Sequence, residues 1–98
     1  MNDVENALTV VIEECAEITE HISHLQKAAS KSLRFGLDSI GPDGRTNREA
    51  LVAEANDLIG SLEHLVDLES LPGLWDREQI QRKKEKIAHF RKSVVDGQ

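Results

Sequence analysis

The sequence predicts an all-α fold, and three observations carry that expectation. Apolar residues recur at alternating spacings of three and four over two long stretches. The 98 residues include two Phe, one Trp and no Tyr, so any core must be aliphatic. Glycine and proline cluster between the periodic stretches rather than within them. At this length a single domain is expected across residues 1–98. A chain so short buries only about 60–65% of the surface its unfolded form exposes, so association between copies is expected as well.

The first element runs from about Val4 to Lys31. Leu8, Val11, Cys15, Ile18, Ile22, Leu25 and Ala29 trace one stripe along a helix. Cys15 stands at the centre of that stripe, which predicts a buried, unreactive thiol. Arg34 to Asn47, "RFGLDSIGPDGRTN", carries the turn-forming residues of a long loop, and loops of that length are often functional. A second helix is expected from Thr46 or Asn47, with Thr46 and Glu49 spaced as a capping box and a stripe of Leu51, Ala55, Leu58, Leu62 and Leu65. Leu71-Pro72-Gly73 is expected to stop it. Asp76 is placed to cap a third helix reaching about Val95, with sparse apolar positions at Ile80, Ile87, Phe90 and Val94 and a basic run from Arg82 to Lys86. The expected architecture is thus a helical hairpin with a third bracing helix, oligomerising into a four-helix-bundle-type core.

Charge narrows the function classes. The net charge of −6 argues against a nucleic-acid-binding surface. Residues 1–70 hold 5 Lys/Arg against 14 Asp/Glu, whereas residues 71–98 hold 7 against 4, so the acidity sits with the first two helices. One cysteine makes no internal disulfide. The lack of an apolar leader or a long apolar run argues against export and membrane insertion, and a cytoplasmic location is expected.

The acidity is patterned. At about 100° per residue, Glu14 and Glu17 of "EECAE" lie to one side of the first stripe. Glu54 and Asp57 of "EAND" lie to the same side of the second, in the same rotational sense. Antiparallel packing would bring these four carboxylates to one flank of the helix pair. Their axial levels differ, about 22 Å from the end of the first helix for Glu17 against about 15 Å from the start of the second for Asp57, and the loop must absorb the difference. The plainer alternative is a solvated acidic face with ordinary pairs such as Glu17 with His21. If the four groups do converge, an all-oxygen set suits a hard cation, Mg²⁺ or Mn²⁺, better than zinc.

Glu13-Glu14-x-x-Glu17 followed by Glu54-x-x-Asp57 resembles the EExxE…ExxD signature of the MazG-like all-α nucleoside triphosphate pyrophosphohydrolases. With "RFG" at Arg34 to Gly36 and "GRTNRE" at Gly44 to Glu49, the chain is similar to the compact single-domain type found in phages and bacteria. The likeness spans about residues 8 to 68. It implies that Glu14, Glu17, Glu54 and Asp57 bind Mg²⁺, that Glu13 orients or deprotonates a water, and that (d)NTP is hydrolysed to (d)NMP and pyrophosphate. It also implies a homodimer or homotetramer in the cytoplasm, the host's if phage-encoded. Phosphoribosyl-ATP pyrophosphatase is a rival within the same motif. A non-catalytic helical oligomerisation module with an acidic face is the rival from another class.

Cations for a triphosphate are available. Lys27, Lys31 and Arg34 share one helical face and are placed either to meet phosphate oxygens or to close the helix C-terminus as a solvated basic face. Arg45, Asn47 and Arg48 cluster at the positive end of the second helix. Phe35 and Trp75 are expected to plug core edges rather than stack on a base. His21, His24, His64 and His89 make no spaced metal motif and read as bystanders. No Walker-type glycine loop is present, which leaves phosphate recognition to metal and side chains.

Overall fold

The computed structural model describes residues 2–69 and 71–96, with side chains followed to Lys92. It is all-α, with three helices and no strand among the described residues: α1 (Asp3–Phe35), α2 (Asn47–Val66) and α3 (Arg77–Asp96). Among the described residues, no helix is long and apolar enough to cross a membrane.

Local chemistry sets the helix ends. Asn2 caps α1, its Oδ1 accepting from the Glu5 amide at 2.8 Å while Glu5 Oε1 accepts from the Asn2 amide at 3.3 Å. Thr46 and Glu49 form the expected capping box on α2, with the Glu49 amide donating to Thr46 Oγ1 at 3.1 Å. Asp76 Oδ1 accepts from the amides of Glu78 and Gln79, as an N-cap does. Gly36 ends α1 at φ 93°, where a side chain would be strained. α2 stops at Val66, before the Leu-Pro-Gly sequence expected to break it. The Asp67 amide still donates to the Glu63 carbonyl at 3.0 Å, and the Leu68 amide closes a tighter turn on the Leu65 carbonyl at 3.4 Å.

The loop between α1 and α2 is ordered by its own backbone. Ile40 and Thr46 form an antiparallel bridge, Gly41 N–H donates to the Arg45 carbonyl at 2.8 Å, and Arg48 N–H donates to the Leu37 carbonyl at 2.8 Å. Asn47, only 8% exposed, ties the loop to the helix end. Its backbone amide reaches the Ser39 carbonyl, and its side-chain amide donates to the Gly36 carbonyl at 2.9 Å.

α1 and α2 pack antiparallel, and among the described residues they are the only helices that pack on each other. The buried stripe of α1 is rotated from the expected one. Ala7, Ile18 and Ala28 are buried, with Glu14, His21 and Leu25 partly covered, whereas Leu8, Cys15, Ile22 and Ala29 are exposed. Cys15 is therefore a surface thiol, contrary to expectation. The reason is the breadth of apolar surface on α1, which spans more than one helix face. α2 settles on the edge that holds Ile18 and Ala28, where the small Ala28 lets the helix backbones approach. On α2 the expected stripe holds at Leu51, Ala55, Leu58 and Leu65 but not at the exposed Leu62.

The expected brace does not form. Among the described residues, α3 packs against neither α1 nor α2. Its apolar face is interrupted by Lys83, and Ile80, Ile87 and Phe90 all remain exposed. The radius of gyration is 17.5 Å, against about 13 Å for a compact chain of this length. Phe35 and Trp75 are exposed as well, so neither plugs a core edge. Phe35 instead lies under the guanidinium of Arg34, 5.3 Å from its ring centroid.

Candidate functional site

The register of the hairpin follows from two side-chain pairs. His64 Nε2 stands 3.5 Å from Glu14 Oε1, and His24 Nδ1 stands 3.8 Å from Glu54 Oε2. Ten residues along α1 thus match ten residues back along α2. On the same count Glu17 is level with Ser61, and Asp57 with His21. Glu17 and Asp57 are offset by four residues, about 6 Å along the axes. The loop absorbs part of the axial mismatch read from the sequence, and this remainder is left.

Two clefts lie on this flank. The first, about 440 Å³, is lined by Glu14, Glu17, His21, Asp57, Ser61 and His64, with Asn56 and Gly60. The second, about 420 Å³, lies towards the loop and is lined by His24, Lys27, Lys31, Asp43, Arg45, Asn47 and Glu54, among others. Three of the four expected carboxylates therefore line one concavity from two helices, and Glu54 lines its neighbour. Lys27, Lys31 and Asn47 line that neighbour too. Glu13, Arg34 and Arg48 line neither. Glu13 is exposed, further round the same flank of α1, and Arg48 turns to Asp38 at 3.6 Å.

Three of the four histidines lie beside carboxylates. His21 Nε2 lies 3.8 Å from Glu17 Oε1, so three imidazoles each face a carboxylate, two of them across the hairpin. His21 and His24 also meet edge to face at 6.3 Å. His21 Nδ1 is buried without a hydrogen-bond partner. A signal for these partners existed in the sequence. The step from Glu14 to His24 equals the step from Glu54 to His64, so one antiparallel register satisfies both cross-helix pairs at once.

Among the described residues, no group of three or more His, Cys, Asp or Glu is arranged to hold a metal ion. The four-residue offset separates Glu17 from Asp57 along the axes, while Glu14 and Glu54 each face an imidazole across the hairpin. Glu14 is mostly covered, its side chain 20% exposed, whereas Glu17 at 63% is free to swing.

The second cleft has a fixed wall. Arg45 Nε donates to Asp43 Oδ2 at 2.8 Å, and the Arg45 amide donates to Asp43 Oδ1 at 3.1 Å. The Arg45 side chain holds the Asp43 carboxyl below its ordinary range, and Asp43 in turn raises Arg45. This pair gives the cleft a cation whose position is set by the loop rather than by a free side chain.

Compared with known proteins, no family model matches the chain, and no curated protein or solved structure matches it either. What the flank can do chemically rests on its own residues.

Proposed function

We propose that this chain is a Mg²⁺-dependent nucleoside triphosphate pyrophosphohydrolase, converting (d)NTP and water to (d)NMP and pyrophosphate, with Mn²⁺ as an alternative ion. The observation that supports it most is the shared cleft, in which Glu14 and Glu17 from α1 and Asp57 from α2 line one concavity. A second cleft bearing Lys27, Lys31 and Arg45 lies further along the hairpin, its His24 edge to face with His21 of the first.

The donor set fits a hard divalent cation in kind, because carboxylate oxygens outnumber imidazole nitrogens across the two clefts. Glu14, Glu17, Glu54 and Asp57 are the residues that would hold the ion, with Glu14 and Glu17 exchanging imidazole partners for it. When bound, the ion would neutralise triphosphate charge and favour departure of pyrophosphate. The protein's own part is positioning. Lys27, Lys31 and Arg45 take phosphate oxygens in the second cleft, leaving the α-phosphorus over the carboxylates. A water oxygen bonds to the α-phosphorus, the bond from that phosphorus to the bridging oxygen breaks, and a carboxylate accepts the water's proton. Glu13, named for that step by the sequence likeness, stands outside both clefts, so a cleft carboxylate is the nearer acceptor.

In this reading two or four copies assemble, since a hairpin with three buried apolar residues, Ala7, Ile18 and Ala28, leaves most of its apolar surface uncovered. A four-helix-bundle-type core is one way to cover it. The deciding experiment is pyrophosphate release from a panel of NTPs and dNTPs, with and without Mg²⁺, including phosphoribosyl-ATP. Metal-dependent release from one or more nucleotides supports the proposal. Release from phosphoribosyl-ATP alone moves the chain to that narrower activity. No release from any substrate leaves a helical interaction module with an acidic face.

A further inference from the structure

The hairpin has a second flank, opposite the clefts. Leu8, Ile12 and Ile22 of α1 and Val52, Ile59 and Leu62 of α2 are all large, apolar and exposed, between 43% and 70%. On each helix they lie about 100° round from the packed stripe, in the same rotational sense. In an antiparallel pair that puts both rows on one side, so they form one continuous apolar face. Exposed Cys15 falls in the middle of it. Such a face on a chain this small marks a contact surface.

We infer that this face is covered by α3 of a second copy of the chain, so that two copies exchange their third helices. Three observations select that occupant. First, α3 packs on no other helix among the described residues, with Ile80, Ile87 and Phe90 exposed along one side at helical spacing. Second, charge discriminates between α3 and another hairpin. Residues 1–70, with 5 Lys/Arg against 14 Asp/Glu, carry a net −9, so hairpin against hairpin brings like charges together. Residues 71–98, with 7 against 4, carry a net +3 and are attracted. Third, Lys83, Lys84 and Arg91 lie on or beside the apolar side of α3, where their stems extend the contact while their charges stay at its edge, facing a hairpin of net negative charge. Pro72 and Gly73, the latter at φ 81°, stand between α2 and α3 and break the helical run between them. The exchange leaves the cleft flank open, and it holds whether or not the clefts turn over a nucleotide.

Cysteine chemistry on the full-length chain tests it. A tagged Cys15→Ser, Ile87→Cys chain is mixed with the unmodified chain, which carries Cys15, and treated with a short bis-maleimide. A tagged–untagged cross-link joining Cys15 to position 87 is the expected product. A chain carrying Ile87→Cys alone that links internally, without gain in size, shows α3 folding back on its own hairpin and overturns the exchange. Cys15-to-Cys15 links in the unmodified chain show hairpin-on-hairpin pairing and overturn it equally. So does a chain that sediments as a monomer at every concentration, or a dimer that yields no link between Cys15 and position 87. Phe90→Glu should weaken association at least tenfold while the hairpin's circular dichroism is retained.

Discussion

Asn47 is the residue at which structure and function make separable demands. It was expected to touch substrate, and it does line the second cleft, yet its side-chain amide is already spent on the Gly36 carbonyl at 2.9 Å. Asn47→Ala removes one neutral hydrogen bond, about 1 kcal/mol net, and orphans a carbonyl, about 1–3 kcal/mol if water is kept out. Gly36 is exposed, so water can reach that oxygen, and the lower end applies. The expected loss is about 1–2 kcal/mol, a factor of roughly 5–30 in the folded-to-unfolded ratio. With a urea slope of about 1–2 kcal/mol/M for a chain of this size, the midpoint should fall by about 1 M. Unfolding would be followed by circular dichroism at one fixed protein concentration, because association contributes to the apparent stability. Asn47→Asp should be worse than alanine above pH 5, since it sets a carboxylate against a carbonyl. An unchanged midpoint for Asn47→Ala, with a raised KM, would refute the structural assignment and return Asn47 to substrate binding alone.

Glu14→Gln and Asp57→Asn should each cut pyrophosphate release by at least about 100-fold, as loss of an ion ligand exceeds the 10–100-fold cost of losing its outer supports, while helicity and sedimentation stay unchanged. Lys31→Ala should raise KM for the triphosphate severalfold with kcat nearly constant, the pattern of lost uniform binding; steady-state kinetics decides it. Glu49 is held below its ordinary carboxyl value of 4.5 chiefly by hydrogen bonds from Thr46. A folded pKa below the unfolded one stabilises at pH values above the unfolded pKa, and the benefit disappears as pH falls through the folded value. Protection of the amides at the start of α2 should therefore drop below about pH 4.5 in hydrogen exchange, and Glu49→Gln should flatten that drop. Thr46→Ala should cost about 1 kcal/mol by removing the N-cap oxygen, read in the same urea titration.

Periodicity located all three helices, and the Thr46 and Asp76 caps were legible because capping depends on residues three or fewer positions apart. The buried face of α1 was not. Val4 through Leu33 offers two apolar rows, and only the partner helix decides which is covered; Ala28 favours its own edge by size rather than by hydropathy. The convergence of Glu14, Glu17 and Asp57 on one cleft was legible as a shared angular offset. Their failure to meet at one level was not, because rotation about an axis is fixed by local spacing whereas translation along it is fixed by loop geometry. The same gap hid the histidines: His64 and Glu14 are neighbours only once the register is known. The detachment of α3 had a visible trace in Lys83, which breaks the side that a brace would need to bury.

The ordered loop also bears on how the molecule comes to exist. Because Asn47 is bound to both Gly36 and Ser39, the nearest helical turns of α1 and α2 are joined at their closed end before any distant pairing is required. Contacts so close in sequence form early and quickly. The helical pair is then a kinetic unit that matures without waiting for the third helix, and during that interval its greasy side stands open to whatever chain arrives first.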